Sequence, residues 1–213
     1  MSPHIGDDDA KSIVQRGYDV ISERYLEWST GFVTPRGRYE EKLFELVPDG
    51  SHVLDLGCGN GTRGTRRLAE HYQVVGVDLS PRAIELARRE LPDVELLCAD
   101  MTDLELGAES FDAVTAFYSL IHVPRQKQST VLGNIARWLR AGGVLLATMT
   151  VEDLPEGYEA DWLGAPMYWS GFDADANRRL VRDAGFEIIT DEIAGNVEHG
   201  EQVDFLWIVA RRR

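Results

Sequence analysis

Val53-Leu-Asp-Leu-Gly-Cys-Gly-Asn-Gly61 is the stretch on which the reading of this chain turns. His52–Leu56 is a short apolar run, the pattern of a buried strand. Glycines at 57, 59 and 61 let the backbone turn sharply and come close to a ligand. The helix expected behind them, running to about His71, offers free N–H groups at its start. The spacing is not the Gly-x-Gly-x-x-Gly of dinucleotide sites, because position 62 is Thr. Asp55, ahead of the first glycine, would repel a pyrophosphate and suits a ligand with a cationic ammonium. The plain alternative is a tight strand–helix turn.

Working outward, Gln73–Val77 reads as a second strand ending at Asp78-Leu-Ser-Pro81, with Ser80 as N-cap and Pro81 as first helical residue of a helix to Leu91. Val94–Cys98 and Phe111–Phe117 follow as strands. Pro124 opens a helix with Val131, Ile135, Trp138 and Leu139 on its buried face, stopped by Gly142-Gly143. Val144–Thr150 is a fifth strand, and residues 151–172 read as an irregular, aromatic-rich insertion. Asp173 caps a helix that Gly185 ends, and Phe186–Ile189 and Val203–Ala210 are the last strands. Alternating strands and helices predict a parallel sheet with right-handed crossovers. The last two strands break that alternation, so the final one enters antiparallel. Upstream, Val14, Tyr18, Ile21, Tyr25 and Trp28 form one helical stripe ended by Gly31, and 36–47 is a second short helix. The expected organisation is a disordered tail at 1–10 and a single domain at 11–213, with a helical cap at 11–47 and a lid insertion at 151–172.

The chain has 213 residues, 44% hydrophobic and 27% charged, enough for one domain with a sizeable core. A formal charge of −14 disfavours nucleic-acid partners. Two cysteines, Cys58 and Cys98, make neither a disulfide framework nor a zinc pattern, and suit a reducing compartment. Cys98 reads as core, and neither thiol is given a catalytic role. No signal peptide or membrane-spanning run is evident. The expectation is a cytoplasmic protein without membrane or metal, monomeric or homodimeric.

Asp78 ends the second strand, where doubly wound sheets bind ligands, and can accept ribose hydroxyls or merely cap the next helix. Ala99-Asp100-Met101 places an acid and an apolar side chain at the end of the third strand, suited to an adenine ring or simply solvated. Together these stretches resemble the motifs of class I S-adenosylmethionine-dependent methyltransferases. Val53–Gly61 is similar to motif I and Val75-Gly-Val-Asp-Leu-Ser80 to the next. Ala99-Asp-Met101, Phe111-Asp-Ala-Val114 and Leu139-Arg-Ala-Gly-Gly-Val144 follow in order. The likeness covers about residues 36–150 firmly and 173–210 loosely, and is nearest to the small free-standing enzymes acting on small molecules.

The resemblance implies a doubly wound seven-stranded α/β sheet of order 3-2-1-4-5-7-6 with strand 7 antiparallel, and S-adenosylmethionine as cofactor. It places Gly57, Gly59, Asn60 and Gly61 under the methionine part. Asp55 orients that loop or pairs with the ammonium. Asp78 and Leu79 lie at the ribose, and Asp100 and Met101 at the adenine. Phe117 and Tyr118 face the sulfonium, and Tyr18 and Tyr25 cover the cofactor or only pack. His122, past the fourth strand, is the candidate base, or a structural histidine; His199 and Glu201 are a second polar group near the mouth. Trp162, Tyr168 and Trp169 wall an apolar acceptor pocket or form a structural lid. The expected activity is methyl transfer to O, S or N of a small hydrophobic metabolite. The alternatives are a protein or RNA methyltransferase, a non-catalytic cofactor-binding module and, least of all, a nicotinamide dehydrogenase.

Overall fold

The computed structural model describes residues 5–31, 34–61, 63–198 and 201–213. Helices α1 (Asp7–Thr30) and α2 (Arg36–Leu46) come first. Then follow β1 (His52–Leu56), α3 (Gly64–Ala69), β2 (Gln73–Asp78), α4 (Pro81–Glu90), β3 (Glu95–Cys98), β4 (Phe111–Ala116), α5 (Arg125–Trp138) and β5 (Leu139–Met149). Strands β6 (Leu154–Trp162) and β7 (Ala165–Gly171) precede α6 (Ala174–Asp183), β8 (Phe186–Glu198) and β9 (Glu201–Arg212). The main sheet has seven strands in the order β3-β2-β1-β4-β5-β9-β8. β9 is antiparallel to β5 and β8, and the other pairs are parallel. With the separate β6–β7 pair set aside, this is the expected order.

Local chemistry fixes the element ends. Ser80 Oγ accepts from the Ala83 N–H at 3.0 Å, and an Asp173 carboxylate oxygen from the Ala176 N–H at 2.8 Å, so both predicted N-caps form. β1 is fully buried from Val53 to Leu56, as a central parallel strand must be. Val131, Ile135 and Trp138 of α5 and Val181 of α6 cover one face of the sheet. Tyr39 and Leu43 of α2 and Leu68 of α3 cover the other, against Trp207. No helix among the described residues is long and apolar enough to cross a membrane.

Several boundaries differ from expectation. α1 begins at Asp7, and Ala10 is buried, so the expected tail is helix from residue 7 onward; residues 1–4 lie outside the described residues. α5 stops at Trp138 rather than at Gly142-Gly143, because β5 begins at once at Leu139 and Gly142 takes φ 78° inside it. The 151–172 insertion is no irregular lid but a β-hairpin. Its two-residue turn is Leu163-Gly164, at φ 54° and 93°. Leucine is unusual at positive φ, and the Asn-Gly signature that announces such turns is missing. The hairpin packs under α1 in a small core of its own, with Val14, Ile21, Met167 and Tyr168. At the crossing, a Cβ on Gly17 would come within 2.6 Å of the Pro166 carbonyl, so only glycine lets α1 lie this close. Cys98, expected in the core, is exposed.

Candidate active site

A cleft of about 700 Å³ lies beyond the carboxyl ends of β1, β2, β3 and β4, with α1 and the β6–β7 hairpin as its roof. Its floor is the glycine loop. Gly57, Gly59 and Gly61 all have positive φ, at 80°, 58° and 73°. They do different work. A Cβ on Gly57 would sit 2.4 Å from the Ser119 side chain, and one on Gly61 2.8 Å from Leu91, so these two glycines serve packing. A Cβ on Gly59 would meet nothing within 4 Å. Gly57, Gly59 and Asn60 line the cleft as expected; Gly61 does not.

Two acids hold this floor, Asp78 half-buried at the cleft and Asp55 buried behind it. Asp78 accepts from the Gly59 N–H at 2.8 Å with one oxygen and from the Ser80 N–H at 2.9 Å with the other, tying the loop to the β2–α4 turn. It lines the cleft, and each oxygen keeps a lone pair for a further donor. Burial raises its pKa, with the two N–H groups pulling the other way. Asp55 is placed otherwise than its ammonium-pairing role required. It is 1% exposed, does not line the cleft, and takes hydroxyl hydrogen bonds from Thr65 at 2.7 Å and Thr115 at 2.8 Å. The Thr65 hydroxyl also lies 3.2 Å from the Cys58 carbonyl, so Asp55 braces the loop from behind. Cys58 is buried, and that burial and then Asp78 and Asp55 push its thiol well up, away from nucleophile chemistry.

Leu79, Asp100 and Met101 line the cleft at the β3 side. Asp100 meets Lys11 of α1 at 2.9 Å and the Thr102 N–H at 2.8 Å. Burial pushes its carboxyl up, but those two partners outweigh it and hold it below the usual range. At the other end stand Phe117 and Tyr118. Tyr118 takes φ 56°, a strained value for an aromatic residue, held as its N–H bonds to the Thr148 hydroxyl. Over the Phe117 ring, 5.2 Å from its centre, lies the guanidinium of Arg36. This half-buried cation was not anticipated. It bonds Glu40 at 2.8 Å and presses on the first turn of α3, where a Gly64 Cβ would be 1.5 Å from Nη2. Burial works against its charge, but Asp55 and Glu40 more than restore it. Arg36 lies outside the glycine motif and contacts it only through the fold, so no local signal announces it.

His122 ends a 3-10 turn, Leu120–His122, latched to β7 through buried Gln128, whose amide nitrogen reaches the Leu120, Val123 and Ser170 carbonyls at 2.9–3.1 Å. Its Nδ1 is 2.7 Å from the Tyr168 carbonyl, and its Nε2 is 2.9 Å from the Tyr18 hydroxyl. A carbonyl only accepts, so Nδ1 carries the proton and Nε2 accepts from Tyr18. Burial lowers the imidazole to about 4, a drop the Tyr168 carbonyl only partly offsets. Burial, then Tyr25 and Asp78, push the Tyr18 phenol well up. At neutral pH both rest uncharged.

The aromatic expectations divide. Trp162 and Trp169 line the cleft with Tyr18, Tyr25 and Trp28. The Trp162 ring centre is 5.8 Å from Tyr25, 5.7 Å from Trp28 and 5.4 Å from Trp169. Tyr168 is different: it is 2% exposed in the roof's core and offers the cleft only its carbonyl to His122. Successive strand residues face opposite ways, so Tyr168 and Trp169 cannot both wall one pocket. His199 and the side chain of Glu201 lie outside the described residues.

A family profile described as a methyltransferase domain matches residues 53–143. The O-methyltransferase cnsE of Penicillium expansum is 36% identical over 154 residues, 66% of this chain and 53% of that protein. The aklanonic acid methyltransferase DauC of a Streptomyces species is 32% identical over 156 residues, 68% of each. The chain belongs to the class I S-adenosylmethionine-dependent methyltransferases. It thus spans from about a third to two thirds of the length of the curated relatives it matches. In fold it is similar to the 1,6-didemethyltoxoflavin-N1-methyltransferase of Burkholderia thailandensis, solved with its substrate and S-adenosylhomocysteine. The TM-score is 0.77 at 21% identity, covering 100% of this chain and 92% of that one. Membership of this family makes S-adenosylmethionine the cofactor to test against the cleft. The open face of Gly59, the lone pairs of Asp78 and the half-buried guanidinium of Arg36 fit a ligand carrying a carboxylate and a ribose.

Proposed function

We propose that this protein transfers a methyl group from S-adenosylmethionine to an oxygen, sulfur or nitrogen atom of a small, largely apolar metabolite. The observation that carries the reading is the floor at Gly59, where the backbone opens onto the cleft beside a carboxylate already aligned by two N–H groups. In this reading Gly57, Gly59 and Asn60 lie beneath the methionine part. Arg36 meets its carboxylate, Asp78 accepts from the ribose, and Asp100 and Met101 flank the adenine. When bound, the cofactor supplies an electrophilic methyl group on a sulfonium.

The chain's own contribution is placement. Phe117, Tyr118 and the roof aromatics hold an acceptor in a dry pocket, and alignment of this kind supplies much of the barrier lowering in bimolecular transfer. Asp55 acts behind the loop, as its brace. His122 is recast by its partners: Nε2 faces Tyr18 rather than open space, so the imidazole orients that phenol and reaches an acceptor only through it. The test has two stages. Calorimetry with S-adenosylhomocysteine is expected to show one site per chain. A metabolite screen for S-adenosylhomocysteine release, with mass spectrometry locating the added methyl group, then identifies the acceptor. A folded protein that binds no S-adenosylhomocysteine would sink the proposal.

A further inference from the structure

Resting on that reading, we propose that the acceptor is a basic amine on an apolar body, recognised as a cation by rings and carboxylates and methylated on nitrogen. Tyr25, Trp28 and Trp162 line the cleft as one packed cluster with ring centres 5.7–5.8 Å apart. Ring faces attract cations, and more strongly where water is excluded. Rings alone would serve a neutral apolar molecule equally well, so the charges lining the same space decide.

Three of the four cations in the described lining are paired with carboxylates. Lys11 is met by Asp100 at 2.9 Å, Lys127 by Asp7 at 3.9 Å, Arg36 by Glu40 at 2.8 Å and Arg63 by the Ser29 carbonyl at 2.7 Å. Carboxylates outnumber these cations in the lining. Two of them, Glu198 and Asp204, stand at the end where Tyr118 meets Phe205 ring to ring at 5.0 Å. Burial raises the Tyr25 and Tyr118 phenols; Glu198 adds to the rise at both and Arg36 pulls more strongly the other way, so both charges face these two sides of the pocket. Asp204 takes its hydrogen bond from the neutral Gln202 amide at 2.6 Å, which leaves its charge in place. A carboxylate or phosphate acceptor is repelled here and an ammonium is drawn in.

The proton inventory agrees. A hydroxyl acceptor needs a base close by, and the imidazole in the cleft is capped by Tyr18. A neutral amine, unlike a neutral hydroxyl, attacks without a base. Its ammonium gives a proton to water, and the freed lone pair forms the N–C bond. The electrons of the methyl–sulfur bond stay on sulfur, leaving a neutral thioether and a methylated ammonium.

The test separates charge from shape. Protein saturated with S-adenosylhomocysteine is titrated by calorimetry and tryptophan fluorescence with choline and with 3,3-dimethylbutan-1-ol, its uncharged isostere. Choline is expected to bind at least about ten-fold tighter. Glu198→Gln should lower choline affinity about ten-fold while leaving the alcohol and S-adenosylhomocysteine unaffected. Trp28→Leu, at a half-buried position of the roof, should lower choline affinity by a similar factor and serves if the first variant folds poorly. Equal affinity for the two probes, absence of choline binding, or a choline affinity indifferent to both substitutions overturns the amine. S-adenosylhomocysteine binding read in the same samples keeps the two ideas apart. Its loss with choline preference intact fells the methyltransferase reading, and its persistence without choline preference fells only this one.

Discussion

The floor of the cleft and its roof are built by different means. The floor is backbone, three positive-φ glycines in five residues, pinned by Asp55 beneath and Asp78 beside it. The roof is side chain, with Tyr18, Tyr25, Trp28, Trp162 and Trp169 contributed by one helix and one hairpin far apart in sequence. A backbone floor is rigid and tolerates few substitutions; a side-chain roof can be re-cut for another ligand while the floor stays as it is. That division suits a family in which one cofactor meets many acceptors.

The sharpest way to break the comparison is inside the floor. Gly57→Val drives a branched side chain into Ser119 at positive φ and should destabilise by about 2–5 kcal/mol, summing steric and overpacking costs. Gly59→Val points into open cleft, so we expect a folded protein that no longer binds S-adenosylhomocysteine. Urea melts and calorimetry on the pair check this; equal melting midpoints would dissolve the distinction drawn between the two glycines.

The roof carries the next effect, through pH. His122 is held at about 4 in the folded chain against about 6.5 when unfolded. The unfolded state therefore binds the extra proton between those values. Stability is fully present above about pH 6.5 and is lost as pH falls toward 4, by up to about 1.4 kcal/mol per unit. In His122→Gln the acid-side slope should shrink by that amount, measured as urea midpoints down the same range. An unchanged slope would mean that the imidazole titrates freely and the Tyr18 contact is broken in solution.

Asp78→Ala tests the tie between the floor and the β2–α4 turn. It strands the Gly59 and Ser80 N–H groups, costing about 1–3 kcal/mol, and should weaken S-adenosylhomocysteine by ten-fold or more. Unaltered affinity would take Asp78 out of the site. Smallest in free energy is Trp169→Ala: acceptor efficiency should fall about ten-fold, near 1.4 kcal/mol, with S-adenosylhomocysteine affinity within about two-fold. Equal losses on both would merge roof and floor into one function.

The floor was legible because its causes are local. Glycine spacing, Asp78 and the Ser80-Pro81 cap sit within one strand–helix–strand run, and chemistry over short distances writes itself into short motifs. What escaped depends on contacts far apart in sequence. Arg36 reaches the loop from α2, and Lys11 meets Asp100 from α1. Asp55 looked like a ligand group because its two hydroxyl partners, Thr65 and Thr115, come from α3 and β4. Tyr168 was misplaced for a different reason: with the Leu163-Gly164 turn unrecognised there was no strand, hence no alternation to separate it from Trp169.

The roof's private core has one more consequence. Within the roof the contacts are apolar, through Val14, Ile21 and Met167. Where α1 meets the floor they are largely polar: Ser80 to Asp19 at 2.6 Å, Arg63 to Ser29, Asn60 to Ser22, Lys11 to Asp100. Water can replace polar links at little cost, whereas it cannot replace buried hydrocarbon. The boundary between the two is therefore a polar seam that runs along α1 only, since the hairpin stays joined to the Leu120–His122 turn through buried Gln128.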